Sequence, residues 1–252
     1  MAEAGLRVAS GLCSSLRKTP MMAMRTFVPG PELVKRVVAR RGRLHAFEKL
    51  EARRTALVVV DMQNSFVQQG GGHAWVPAAA ATCPTINRLA AGLRAAGGTV
   101  VWILNTYRPQ SDQSWSHFHQ ELSTPEGDAL RCRSMGQGTP GHAIYADLQV
   151  LPGDWQVPKY LYSAFIQGSS DLHERLQQHG VDTLLIAGTA TNVCCECTAR
   201  DAMMLNYRTL MVSDACSAMS IEDHEVCLSN FIFSFGDVQT CDEVLQRLGQ
   251  PG

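Results

Sequence analysis

Four short apolar runs rich in β-branched residues recur along the chain, at 56–60 (Ala56-Leu57-Val58-Val59-Val60), 99–104, 183–187 and 209–212. Each is continuous rather than alternating, the pattern of a parallel strand buried on both faces. Between them lie stretches with helical spacing, at 84–96, 170–179 and 193–206, and glycines stand where helix C-caps belong, at Gly97-Gly98 and Gly180. Strand, helix, strand repeated in this way predicts an α/β chain: a three-layer α-β-α architecture around an open, mostly parallel sheet of about six strands. The 252 residues suffice for one such domain without a disulfide or metal staple.

The ends and the charges refine the organisation. Residues 1–31 contain only Glu3 as an acid and close on Pro29-Gly30-Pro31. They read as a leader: flexible, transit-like, or translated from a start placed too early, since Met21, Met22 and Met24 follow. Residues 32–252 then form a single domain, which opens with a basic helix over about 32–54 carrying Leu33, Val34, Val37 and Val38 on one side. Residues 1–54 carry a balance of +8 and the remainder −9. That asymmetry predicts a basic arm lying on an acidic body or a neighbouring copy. It does not predict a nucleic-acid arm, because interleaved aromatics are missing. No apolar run approaches the ~20 residues of a membrane span. Nine irregularly spaced cysteines predict a reducing, cytoplasmic setting and no disulfide framework.

In open α/β sheets ligands bind beyond the carboxyl ends of the strands. Asp61 follows the first run, Asn105-Thr106-Tyr107-Arg108 the second, and Lys159 the short run Trp155-Gln156-Val157-Pro158. Gly188-Thr189-Ala190-Thr191-Asn192-Val193-Cys194 follows the run at 183–187 and opens a helix. An acid, an amine and a thiol thus share one rim. A helix N-terminus favours thiolate at Cys194. Asp61 can take the thiol proton and return it to a leaving amine, Lys159 can steady the carboxylate, and backbone amides around 190–194 can receive an oxyanion. The long polar stretch 107–153 is placed to cover this rim. Cys194-Cys195-Glu196-Cys197 also admits a thiol redox reading through Cys194 and Cys197, and a retired enzyme fold serving as a binding protein is a third.

In the segments Ala56-Leu57-Val58-Val59-Val60-Asp61-Met62-Gln63-Asn64, Val157-Pro158-Lys159-Tyr160-Leu161-Tyr162-Ser163-Ala164-Phe165 and Gly188-Thr189-Ala190-Thr191-Asn192-Val193-Cys194, with Thr198-Ala199-Arg200-Asp201-Ala202 beyond, the chain resembles the isochorismatase-like cysteine hydrolases. The resemblance covers roughly 44–248. It implies a catalytic triad of Asp61, Lys159 and Cys194, a non-proline cis peptide between Ala190 and Thr191, and homo-oligomers. The cysteine implies the amide-cleaving branch. The Lys-x-x-Tyr-Ser-x-Phe pattern at Lys159, Tyr162, Ser163 and Phe165 is most similar to the ureidoacrylate amidohydrolase-like group, which implies Asn105 and Tyr162 as substrate contacts. The implied activity is hydrolysis of a C–N bond in a small ureido, carbamoyl or amide substrate, with ammonia release through an acyl-enzyme. Nicotinamidase-like members, the neighbouring alternative, hold a metal on Asp-x-His and a later His. Alignment on Pro109 puts Thr106 and Arg108 at the first two positions and His117 near the third. One ligand does not hold a zinc or iron ion, so no metal and no cofactor are expected. His117-Phe118-His119 is left as a pair by spacing alone.

Overall fold

A computed structural model describes residues 26–249. Residues 1–25, which hold most of the expected leader and Cys13, and residues 250–252 lie outside the described residues. Six strands, β1 (Thr55–Val60), β2 (Thr99–Asn105), β3 (Trp155–Lys159), β4 (Thr183–Thr189), β5 (Arg208–Ser217) and β6 (Asp237–Gln239), form one sheet in the order β3-β2-β1-β4-β5-β6. Every adjacent pair is parallel. The α/β layering expected from the apolar runs is therefore present, with all strands parallel.

Side-chain alternation divides the strands between two cores. Ala56, Val58 and Val60 join Val101, Ile103 and Ile186 in one, beneath α1 (Pro31–Arg41), α7 (Leu172–Gln178), α8 (Glu196–Met204) and α9 (Ile221–Ser234). Leu57 and Val59 join Val100, Trp102 and Leu185 in the other, beneath α3 (Ala79–Ala95) and α10 (Cys241–Leu248). Between β1 and β2 the short α2 (Asn64–Val67) precedes α3; between β2 and β3 lie α4 (Ser111–Ser114), α5 (Ser116–Glu121) and α6 (Pro125–Met135).

Several elements differ from the sequence expectation, each for a local reason. The basic helix stops at Arg41 because Gly42 takes the left-handed conformation (φ 80°) and caps it onto the Val38 carbonyl. Beyond it, residues 41–47 lie along the sheet edge: His45 Nδ1 is 3.1 Å from Asp237 Oδ1, and the Phe47 amide donates to Asp237 Oδ2 at 3.1 Å. The arm thus meets an acid of the same chain. Phe27, inside the span read as leader, is buried in the first core. Helix α3 begins five residues ahead of Pro84, since burial of Ala79, Thr82 and Cys83 outweighs the proline's missing donor. Strand β6 is three residues with buried Asp237 and Gln239, too short and too polar to register as an apolar run.

Candidate active site

Strand β1 is flanked by β2 on one side and β4 on the other, and the chain builds outward in both directions from it. That makes the carboxyl ends of β1 and β4 the switch point of the sheet, where a crevice forms. Asp61 leaves β1 there in a left-handed conformation (φ 54°), its amide still donating to the Ile103 carbonyl at 3.1 Å. Lys159 ends β3, in register with Asn105 at the end of β2. Cys194 lies in a single π-helical turn, Thr191–Cys195, that runs from the end of β4 into α8. Such turns inside helices frequently mark functional sites.

The three side chains meet. Lys159 Nζ stands 2.9 Å from Asp61 Oδ2 and donates to Cys194 Sγ at 3.3 Å and to the Leu161 carbonyl at 3.1 Å. The contact with Asp61 is an ion pair, while the ammonium's hydrogen bonds run to the sulfur and to the Leu161 carbonyl. Asp61 and Lys159 are fully buried and Cys194 is 5% exposed. Burial alone would lower the Lys159 ammonium, but Asp61 and Cys194 reverse that and hold it above its usual range. Burial, then the Asp61 carboxylate, pushes the Cys194 thiol well up, against a smaller opposing pull from Lys159. Desolvation, the largest of these influences, thus works against the thiolate that a helix N-terminus was expected to favour at Cys194. Both oxygens of the Asp61 carboxylate are buried without a hydrogen-bond partner among the described residues, and Oδ2 is held by the ion pair with Lys159.

The cis peptide also departs from expectation. It joins Thr189 to Ala190, one bond earlier than the predicted Ala190–Thr191. The Ala190–Thr191 peptide instead caps the π turn, with the Ala190 carbonyl accepting from the Val193 and Cys195 amides at 3.1 and 3.2 Å. Thr191 is buried and clamped to α9, its Oγ1 2.8 Å from His224 Nδ1 and its carbonyl accepting from the Cys227 thiol.

Asn105 and Tyr162 both lie near the triad, Asn105 as the register partner of Lys159 and Tyr162 within reach of its charges. Asn105 is 3% exposed. The Tyr162 phenol is raised by burial and feels the charges of Arg131, Cys194 and Lys159. Its ring packs edge-on against Trp115 at 4.9 Å and Phe118 at 5.8 Å, so α5 and the residue before it form part of the cover. Two participants were not singled out from sequence. Gln63 is fully buried and grips the Asn105 backbone in both directions, accepting from its amide (2.8 Å) and donating to its carbonyl (3.1 Å). Its signal was its place two residues beyond Asp61. Arg131 on α6 carried no local signal at all.

Thr106, Arg108 and His117 do not converge. Thr106 Oγ1 lies 2.8 Å from His142 Nε2, Arg108 stacks on Tyr160 at 3.7 Å, and His117 contacts Glu121 on the exposed side of α5. The described residues best able to hold a metal are instead His119, Asp128 and Cys132, whose ligand atoms lie within 4.8 Å of one another. Cys197 sits half-buried on the first turn of α8, and no disulfide joins the eight described cysteines. Among the described residues no helix is long and apolar enough to cross a membrane.

The isochorismatase domain model matches residues 55–243. The chain is 34% identical over 179 residues to a protein named ureidoacrylate amidohydrolase RutB from Methylorubrum extorquens, covering 66% of this chain and 70% of that one. Among solved structures, a cysteine hydrolase from Pseudomonas syringae pv. phaseolicola 1448A superposes with a TM-score of 0.70 at 30% identity, over 79% of this chain and 94% of that chain. An N-carbamoylsarcosine amidase from Thermoplasma acidophilum superposes with a TM-score of 0.59 at 26% identity, over 75% and 97% of the two chains.

Proposed function

The chain belongs to the isochorismatase family, and on that premise we propose that it is a cysteine-dependent amidohydrolase releasing ammonia from a small ureido, carbamoyl or amide substrate. The observation that carries the reading is the single ammonium, Lys159 Nζ, held between the Asp61 carboxylate at 2.9 Å and the Cys194 sulfur at 3.3 Å, all three groups buried. The names of the ureidoacrylate amidohydrolase and N-carbamoylsarcosine amidase relatives support the substrate class.

The chemistry follows from the geometry. Asp61 takes the Cys194 proton as the sulfur attacks the carbonyl carbon, so a reactive thiolate exists only when an electrophile is present. The Val193 and Cys195 amides already serve the Ala190 carbonyl, so the proposal gives the oxyanion to the Cys194 amide of the same turn. The protonated Asp61 then delivers its proton to the leaving nitrogen, the C–N bond breaks, and ammonia departs. An acyl group remains on sulfur; for a ureido substrate it is an S-carbamoyl group. Water, giving a proton to Asp61, attacks that carbon. The C–S bond breaks, the acid or carbamate leaves, and the proton returns to Cys194. Lys159 stays charged throughout and steadies whichever of carboxylate and thiolate is anionic. Asn105 and Tyr162 are assigned to hydrogen-bond the planar amide.

The same reading places 32–252 in one domain, supported by α1 stacking Arg36 on Phe233 of α9 at 4.4 Å. It further places the enzyme in the cytoplasm as a homo-oligomer. Cysteines not joined in disulfides support the compartment, and exposed Val38 and Val226 on α1 and α9 support a face between copies. The test is ammonia release from ureidoacrylate, biuret, maleamate, nicotinamide and carbamoyl amino acids by the wild-type protein against Cys194→Ala. Release that persists in Cys194→Ala refutes the mechanism.

A further inference from the structure

Helix α6 carries two metal-ligand side chains one turn apart. Asp128 and Cys132 are four positions apart in it and so share a face. That face meets α5: His119 Nδ1 lies 2.6 Å from Asp128 Oδ1, and the Cys132 thiol donates to Asp128 Oδ2 at 3.7 Å. One ligand atom from each of the three residues lies within 4.8 Å of the other two. His119 is buried and its partners are half-buried, so the cluster is shielded without being sealed. The other ring nitrogen of His119, Nε2, is buried with no hydrogen-bond partner among the described residues, so Asp128 supplies the hydrogen bond that orients this imidazole.

The separations suit one small ion. Around tetrahedral zinc, with bonds of about 2.0–2.3 Å, neighbouring ligand atoms stand roughly 3.3–3.8 Å apart. The thiol and carboxylate already have that spacing, and the imidazole and carboxylate reach it by opening less than ~1 Å. The donor set selects the metal. Sulfur and imidazole nitrogen do not suit calcium or magnesium, which take oxygen; they suit zinc, with three protein ligands and a fourth position for water. The thiol proton leaves to solvent as the zinc–sulfur bond forms, so a divalent ion meets one carboxylate and one thiolate. The filled site therefore sets no net charge beside Arg131, the buried cation three positions after Asp128. Thr106 and Arg108, the positions first weighed for a metal, take no part: Thr106 engages His142 and Arg108 stacks on Tyr160.

We propose that His119, Asp128 and Cys132 form a zinc site that clips α5 to α6. The clip ties down the segment whose Trp115 and Phe118 rings pack against Tyr162. None of its ligands belongs to the triad, so the site stands apart from the amidohydrolase reading.

The test uses the full chain, stripped of metal with dipicolinate and titrated with cobalt(II) and with zinc. Cobalt is expected to bind at one equivalent, to give a thiolate-to-cobalt charge-transfer band in the near ultraviolet, and to be displaced by zinc. Cys132→Ala should abolish the band. It should also weaken zinc, read by competition with a chromophoric chelator, by more than about 100-fold, beyond the 10–100-fold loss of an outer-shell partner. His119→Gln should weaken zinc comparably, and Cys194→Ala should leave both band and affinity unchanged. X-ray absorption on the zinc-loaded wild-type chain, which needs no variant to fold, should show one sulfur among nitrogen and oxygen ligands. The site is overturned by a band that survives Cys132→Ala or vanishes in Cys194→Ala. It is equally overturned by zinc held on no sulfur or on two or more, or by a wild-type chain that surrenders all its zinc to a micromolar chelator.

Discussion

Gly188 and Val60 are register partners across β4 and β1 at a separation that admits no side chain: a Cβ on Gly188 would stand 2.1 Å from the Val60 carbonyl oxygen and 2.7 Å from its amide nitrogen. Gly188 also adopts φ 112°, a conformation L-residues avoid. This close approach brings the exit of β4, and with it the nucleophile turn, against the exit of β1 that carries Asp61. Gly188→Ala should cost about 3 kcal/mol or more, through both strain and backbone overlap. Urea denaturation midpoints measure it, and a loss under about 0.5 kcal/mol, the range of ordinary surface changes, contradicts the assignment.

Asp61→Asn should separate reactivity from catalysis. The carboxylate is the charge that raises the Cys194 thiol, while Lys159 lowers it. Removing it should reduce ammonia release by about 10²–10⁴-fold, as for loss of a general acid–base. Yet the Cys194 thiol should ionise at lower pH than in the wild type. The pH profile of iodoacetamide labelling at Cys194, read by mass spectrometry, checks this; a profile moved upward contradicts it.

Lys159→Met should act in the opposite sense on the same profile, moving it up. It should also leave Asp61 as an unpaired buried charge, at a cost of about 3–5 kcal/mol. Pairing it with Asp61→Leu should recover much of that stability with no recovery of activity, which a double-mutant cycle in urea measures.

His224 gives the fold an acid limb. Burial pushes its imidazole down to about 4, whereas an unfolded histidine titrates near ~6.5. The unfolded chain therefore binds a proton first. Stability should be full above pH ~6.5 and fall by up to about 3 kcal/mol as pH drops toward 4. His224→Gln should flatten that window in thermal melts, and an unchanged slope would contradict the assignment.

Asp237 governs the arm. Burial would raise this carboxylate, but His45, Gln239 and the Phe47 amide hold it below its usual value. Its contribution is present above the unfolded carboxylate value of ~3.9 and is lost as pH falls through the lower folded value. Asp237→Ala should cost about 2–3 kcal/mol and admit trypsin at Arg41 and Arg43. Arm residues as resistant as in the wild type would contradict the tether.

The legible parts of this molecule were those that local sequence encodes. Asp61 and Cys194 sit beside buried apolar runs, so a strand end announced each; Lys159 was harder, because its strand is short and includes Pro158. The sheet was legible because continuous Val and Leu runs have few other uses. Gln63 shows no role in sequence, since gripping the Asn105 backbone is a contact 42 positions away. Arg131, Trp115 and Phe118 were opaque for a related reason: their packing is decided by how 107–153 folds back over the rim. The burial that opposes ionisation of Cys194 is not legible in sequence, because desolvation is a property of the closed fold, which a helix terminus does not reveal.

The enclosure of Cys194, which opposes its ionisation, bears on how this protein endures. A sulfur that keeps its proton at rest offers peroxide and stray electrophiles little to react with. Its potency is lent by the guest it is about to cleave and withdrawn when the product leaves. Cys194 should therefore resist oxidation at rest, and its vulnerability should peak during turnover, when inhibitors that resemble the substrate find the sulfur unguarded.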